Sequence, residues 1–141
     1  MASTARPVAG SQPRVAPQPA SVLFIDRTDG AVFRLAYLGL SREFRVIWSD
    51  TRARSAAHVQ RAHPVCAVVA VNDVGHDDAL LLVTWLRSVN VPVIASCVTT
   101  EDAAALVAAG AEAALCRPHR VAELVEHVAR ASQQPRRGSV G

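Results

Sequence analysis

The chain has no lysine: all 15 of its basic residues are arginine. Schiff-base formation and lysine general-base chemistry are thereby excluded. Aromatic residues make up only 4% of the 141, so a core must be built from Val, Leu and Ala. That composition suits a buried parallel sheet covered by alanine-rich helices. No apolar run approaches the roughly 18–20 residues of a membrane span, and residues 1–19 hold no continuous apolar stretch of the secretory kind. A cytoplasmic protein with no membrane contact is expected. Cysteine is scarce as well. Cys66, Cys97 and Cys116 are widely spaced with no CxxC pair, which argues against zinc or a disulfide framework and for reduced, buried thiols. No P-loop, dinucleotide fingerprint or nucleophile elbow occurs, and His58, His63, His119 and His127 share no metal spacing. Neither a cofactor, a metal nor a catalytic residue is expected.

The net charge of +3 is unevenly spread: residues 1–63 carry nine Arg against four acids, residues 64–141 six against eight. Arg34, Arg42, Arg45, Arg52, Arg54 and Arg61 are scattered along the chain rather than clustered, so they predict a solvated surface rather than direct nucleic-acid binding. Pro7, Pro13, Pro17 and Pro19 make residues 1–20 a disordered Pro/Ala-rich leader, and Pro135, Arg136, Arg137 and Gly138 make 132–141 a flexible tail. Residues 21–131 form the one domain between them.

Within it, short apolar runs alternate with helical patterns. Ser21 to Ile25, ending at Asp26, predicts a buried strand, followed by a helix with Asp29 as N-cap and Val32, Leu35, Ala36 and Leu38 inward. Arg45 to Trp48 reads as a short edge strand, Thr51 to Ala62 as a polar helix and Cys66 to Val71 as a central strand. A loop over 72–77 leads to a helix over 78–89, with Leu81, Leu82, Trp85 and Leu86 as its stripe. Pro92 to Ser96 and Ala113 to Cys116 predict the last two strands, and Thr100 to Ala109 a helix closed by Gly110. Val121, Leu124, Val125 and Val128 stripe the final helix. Five strands alternating with five helices predict a single doubly wound α/β domain, its five-stranded parallel sheet in the order 2-1-3-4-5. Sites in such sheets form at the carboxyl ends of the strands.

Gly110-Ala111-Glu112-Ala113-Ala114-Leu115-Cys116-Arg117-Pro118 resembles the Gly-Ala-acid-acid-Tyr-Leu-x-Lys-Pro segment of response-regulator receiver domains. Val22-Leu23-Phe24-Ile25-Asp26 resembles their first strand and Pro92-Val93-Ile94 the opening of their fourth. Members of that family accept a phosphoryl group on an aspartate ending the third strand. Two acids hold Mg²⁺, while a Thr or Ser after the fourth strand and a Lys after the fifth bind the phosphoryl oxygens. Carried over residue by residue, the resemblance implies a degenerate pocket of Asp26, Arg27, Ala70, Val71, Asn72, Cys97, Arg117 and Pro118. Arg27 stands in place of the second acid, and Ala70 or Val71, depending on the direction of counting, in place of the acceptor. Cys97, or Thr99 in a shifted register, stands in place of the hydroxyl. Arg117 replaces the lysine, with a cis Arg117–Pro118 bond implied, and Ala114 replaces the aromatic switch residue. Asp26 is then expected to pair with Arg27 or Arg117 rather than to share a metal.

A scaffold kept without its acceptor points to binding rather than catalysis. The resemblance implies a pseudo-receiver, independent of phosphorylation, that works in signal transduction through the face made by the fourth helix, fifth strand and fifth helix. Ala104, Leu106 and Val107 supply its apolar part, because Ala103 to Ala109 has no polar side, and Glu123, Glu126 and Arg130 its rim. The partner expected is a signalling or transcription regulator or a second copy. No folded segment is expected after Ala131, so transcription would be reached only through a partner. Two alternatives remain: a small-molecule or ion sensor in the vacated pocket, and a residual phosphoacceptor using Asp73. Cys97 reads as a core residue before it reads as a redox sensor. Cys116 should face away from Arg117, which argues against a Cys97–Cys116 disulfide.

Overall fold

A computed structural model of the protein describes residues 19–26, 31–50, 52–71 and 76–133. Five parallel strands form one sheet: β1 (Ser21–Ile25), β2 (Arg45–Ser49), β3 (Cys66–Ala70), β4 (Val93–Cys97) and β5 (Ala113–Cys116). Their order is β2-β1-β3-β4-β5, the predicted 2-1-3-4-5 arrangement. The helices are α1 (Ala31–Leu40), α2 (Arg52–Ala62), α3 (His76–Ser88), α4 (Thr100–Ala109) and α5 (Val121–Ser132). Asp29, the leader up to residue 18 and the tail from residue 134 lie outside the described residues, as do the side chains of Val32 and Leu35; Leu38, expected inward on α1, is exposed.

Composition alone explains which strands are central. Every residue of β1, β3 and β4 is buried, as wholly apolar runs require when both sheet faces are covered. β2 and β5 lie at the edges and are only partly buried. Alternation splits the interior into two layers. Val22, Phe24, Val68, Ala70, Ile94 and Leu115 pack against Ala36 and Leu40 of α1 and Leu124, Val128 and Ala131 of α5. Leu23, Ile25, Val69, Val71, Ala95 and Cys97 pack against Leu82, Val83 and Leu86 of α3 and Leu106 of α4.

Three boundaries differ from the sequence reading. β3 stops at Ala70, and Val71 already turns into helical conformation while remaining buried. β4 begins one residue later than expected and runs to Cys97, because Pro92 has no N–H for the ladder and contributes only its carbonyl, to Ala67 N at 2.8 Å. α3 starts at His76 and buries Ala79, Leu82, Val83 and Leu86, a clean i, i+3, i+4, i+7 set. Leu81 is therefore on the outer side, 64% exposed, and not in the inner stripe.

α4 keeps its predicted ends. Thr99 caps it by accepting from Asp102 N at 3.0 Å, and Gly110 closes it at φ 124°, with its N–H on Val107 O and the N–H of Ala111 on Leu106 O. Only glycine suits that position: a Cβ there would also meet Arg87 Cδ at 2.5 Å. Gly39 has a different reason. It is where α1 meets α5, with Val121 Cγ1 and Val125 Cγ2 only 2.7 and 3.1 Å from where a Cβ would stand.

Candidate functional site

The carboxyl ends of β1, β3, β4 and β5 converge, and strand alternation sorts their side chains to two sides. The ladder continues one residue beyond β1, with Asp26 N donating to Ser49 O at 3.0 Å. It also continues beyond β5, with Arg117 N donating to Cys97 O at 2.7 Å. Asp26, Ala70, Ser96 and Arg117 thus share the α1/α5 side, since they alternate with Ile25, Val69, Cys97 and Cys116 on the other. Register supports this, because Ala70 and Ser96 are direct partners across β3 and β4.

The α1/α5 side is polar. Asp26 and Ser96 are fully buried. Ser96 Oγ lies 2.9 Å from His119 Nε2, an interaction that ties the end of β4 to the segment leading into α5. His119 Nδ1 and the Nε and Nη2 atoms of Arg117 are buried without a hydrogen-bond partner. Arg27 and Asn72, and Asp73 in the same loop, lie outside the described residues. Arg117–Pro118 is cis, as the resemblance implied.

On the α2–α4 side the ends are apolar or soft. Val71 and Cys97 are buried, and Ala114 and Cys116 pack against the same core. The Cys97 sulfur lies 3.6 Å from the carbonyl oxygens of both Thr99 and Leu115, either of which can take its single S–H. Burial first, then the adjacent Cys116 and the charge of Asp102, push its pKa up to about 11, with Arg117 pulling the other way. A thiol so held stays protonated at neutral pH, which agrees with the core reading over a reactive sensor. The Thr99 hydroxyl is held at the start of α4, where Oγ1 accepts from Asp102 N.

Cys116 does face away from Arg117, but Cys97 shares the side to which it turns. The two are direct partners in the β4–β5 ladder. The two thiols are therefore neighbours on one side of the sheet rather than separated by it, and both are free. Ser96 and His119 were also missed as a pair. Each looked ordinary by itself, and only the register of β4 against β5 brings them together.

The receiver family implies Mg²⁺, and the described residues do not suit it. The ion takes near-octahedral oxygen ligation. Asp26 is the one carboxylate among the described residues ending β1, β3, β4 and β5; the others are Ala70, Val71, Ser96, Cys97, Cys116 and Arg117. No cluster of three or more His, Cys, Asp or Glu able to hold a metal occurs among the described residues.

The expected contact face is partly rearranged. Ala104 and Val107 are exposed on α4, but Leu106 is fully buried beneath it and belongs to the core. Glu123, Glu126 and Arg130 are exposed on α5. Glu123 and Glu126 also line a groove towards α1, together with Leu38, Arg42 and Arg120.

No family model matches the chain, and no curated protein matches it in sequence. Solved structures do. A response regulator from Thermotoga maritima superposes with a TM-score of 0.68 at 22% identity, over 82% of this chain and 99% of that one. The N-terminal signal receiver domain of a Bacteroides fragilis two-component response regulator gives 0.71 at 16% identity, over 82% and 99%. An orphan response regulator of H. pylori gives 0.67 at 15% identity, over 83% and 100%. The fold is that of a response-regulator receiver domain. In this receiver fold the strand ends that converge are β1, β3, β4 and β5, the same ends at which the resemblance placed the degenerate pocket. No helix among the described residues is long and apolar enough to cross a membrane.

Proposed function

We propose that this receiver-like domain is a cytoplasmic, non-enzymatic regulator that works without phosphorylation, by contact with a signalling partner or a second copy of itself. The observation that carries the reading is the end of β3. Ala70 and Val71, both buried, occupy the acceptor point from either direction of counting, and neither can form an acyl phosphate. The contact face is α4–β5–α5, where β5 is an open sheet edge and Ala104 and Val107 leave apolar surface on α4. Incubation with acetyl phosphate and Mg²⁺ should leave the intact mass unchanged; a phosphoryl adduct abolished by Asp73→Ala would overturn the reading. Light scattering and pull-down should show a dimer or a bound partner that Val107→Glu removes. A strictly monomeric protein with no partner would count against the face.

A second reading has its own support. The unpartnered Nε and Nη2 of Arg117 and Nδ1 of His119, buried beside Ser96, suit a small anion and make the pocket a candidate sensor. Thermal-shift screening with inorganic phosphate and small carboxylates tests this: a saturable rise lost in Arg117→Gln supports it, and a flat response removes it.

A further inference from the structure

Cys97 and Cys116 are aligned partners on adjacent parallel strands, and both side chains belong to the α2–α4 side of the sheet. Neighbouring strands run about 4.7–4.9 Å apart, and side chains leaving the same face at the same level keep roughly that separation. A disulfide requires Cβ atoms about 3.5–4.5 Å apart and sulfurs at about 2.05 Å, so it would have to draw the two strands together. Two thiolate–metal bonds of roughly 2.3 Å each, the zinc–sulfur value, set the sulfurs up to about 4.6 Å apart, which aligned side chains on neighbouring strands reach by turning about χ1 without moving the sheet.

We propose that Cys97 and Cys116 form a two-coordinate site for a soft, thiophilic metal cation, for which Cu(I) is the probe. Thiolate ligands select such ions. Zinc and harder cations need more donors, and no third His, Cys, Asp or Glu joins the pair among the described residues. Cys116 is half-buried and gives the ion its way in, while Cys97 is fully buried behind it. Cys97 gives up only a weak S–H contact to the carbonyl of Thr99 or Leu115. Each thiol releases one proton to solvent and both electron pairs stay on sulfur, so the bound Cu(I) dithiolate carries one negative charge. Arg117 compensates it at the end of β5, and Asp102 on α4 opposes it.

A metal held there would fasten β5, the open edge of the proposed contact face, to β4. That would supply an input where the family uses phosphate. This consequence rests on the proposed face, whereas the binding itself does not.

The test uses the full chain, reduced and kept free of oxygen, titrated with Cu(I) held by a chromogenic chelator. One Cu(I) per chain should be withdrawn, with the ultraviolet absorption of a copper–thiolate bond. Cys116→Ser, at a half-buried position that leaves folding intact, should lose that withdrawal, as should Cys97→Ser. Cys66→Ser, on the other face of the sheet, should retain it. No withdrawal by the unmodified chain, full retention in Cys116→Ser, or loss in Cys66→Ser would each overturn the site. So would rapid closure of a Cys97–Cys116 disulfide with diamide, because the strands would then sit close enough for direct bonding. A phosphoryl adduct from acetyl phosphate would defeat the proposed function and leave this result standing.

Discussion

The two sides of the sheet end differently. Towards α1 and α5 the strands finish in Asp26, Ser96 and Arg117, with His119 beside them, so polar and charged groups survive where the fold gathers its strand ends. Towards α2, α3 and α4 they finish in Val71, Cys97 and Cys116, and the same level of the molecule has become core. The departure from the receiver pattern is therefore lopsided. One side gathers Asp26, Ser96, Arg117 and His119 around Ala70, and the other gathers buried or half-buried apolar groups and thiols.

Substitutions in the two layers should expose this contrast, beginning with the largest effect. Phe24→Ala removes the one fully buried aromatic among the described residues of the α1/α5 layer and should cost about 3–5 kcal/mol in denaturant unfolding. Leu106→Ala removes the only buried anchor of α4 and should cost about 2–5 kcal/mol. An effect of Leu106→Ala near zero would contradict its burial beneath α4. Gly39→Ala should destabilise by about 1–3 kcal/mol, because its Cβ meets Val121 and Val125 and α5 must move away from α1. Calorimetry that showed Gly39→Ala to be stabilising would mean that helix propensity outweighs that contact. Ser96→Ala should cost roughly 1 kcal/mol by breaking the link to His119.

The smallest effect near neutrality is the pH dependence of the thiols, one in each layer. Burial raises Cys66 from 9.0 to about 12 and Cys97 from 9.0 to about 11. The unfolded chain ionises first, so their contribution is complete below pH 9 and is lost as the pH climbs towards 11–12. Unfolding midpoints should be insensitive to these thiols up to pH 9 and fall beyond it. Cys66→Ala and Cys97→Ala should each flatten that alkaline fall, and a fall that begins below pH 8 would contradict the burial of both.

Much of this was legible from particular residues. The unbroken apolar runs at 21–25 and 66–70 could only be central strands, and the polar Arg45 at the head of a short run marked an edge. Gly110 announced the end of α4 because a left-handed cap has few other tenants. Which residue of α4 turns inward was not legible: Ala103 to Ala109 has no polar side, so periodicity offers no direction, and packing against α3 and β5 chose Leu106. In α3 the leucine run at 80–82 hid which leucine faces the core.

Sequence by itself determined the alternation of five strands and five helices, the order of the sheet and the absence of an acid at Ala70 and Val71. Those depend on composition and on periodicity along one segment at a time. Tertiary structure alone decided that Ser96 meets His119, that Cys97 stands beside Cys116 and that Leu106 is core. Those depend on the register between strands and on which way a helix turns, and both are set by packing among segments far apart in the chain.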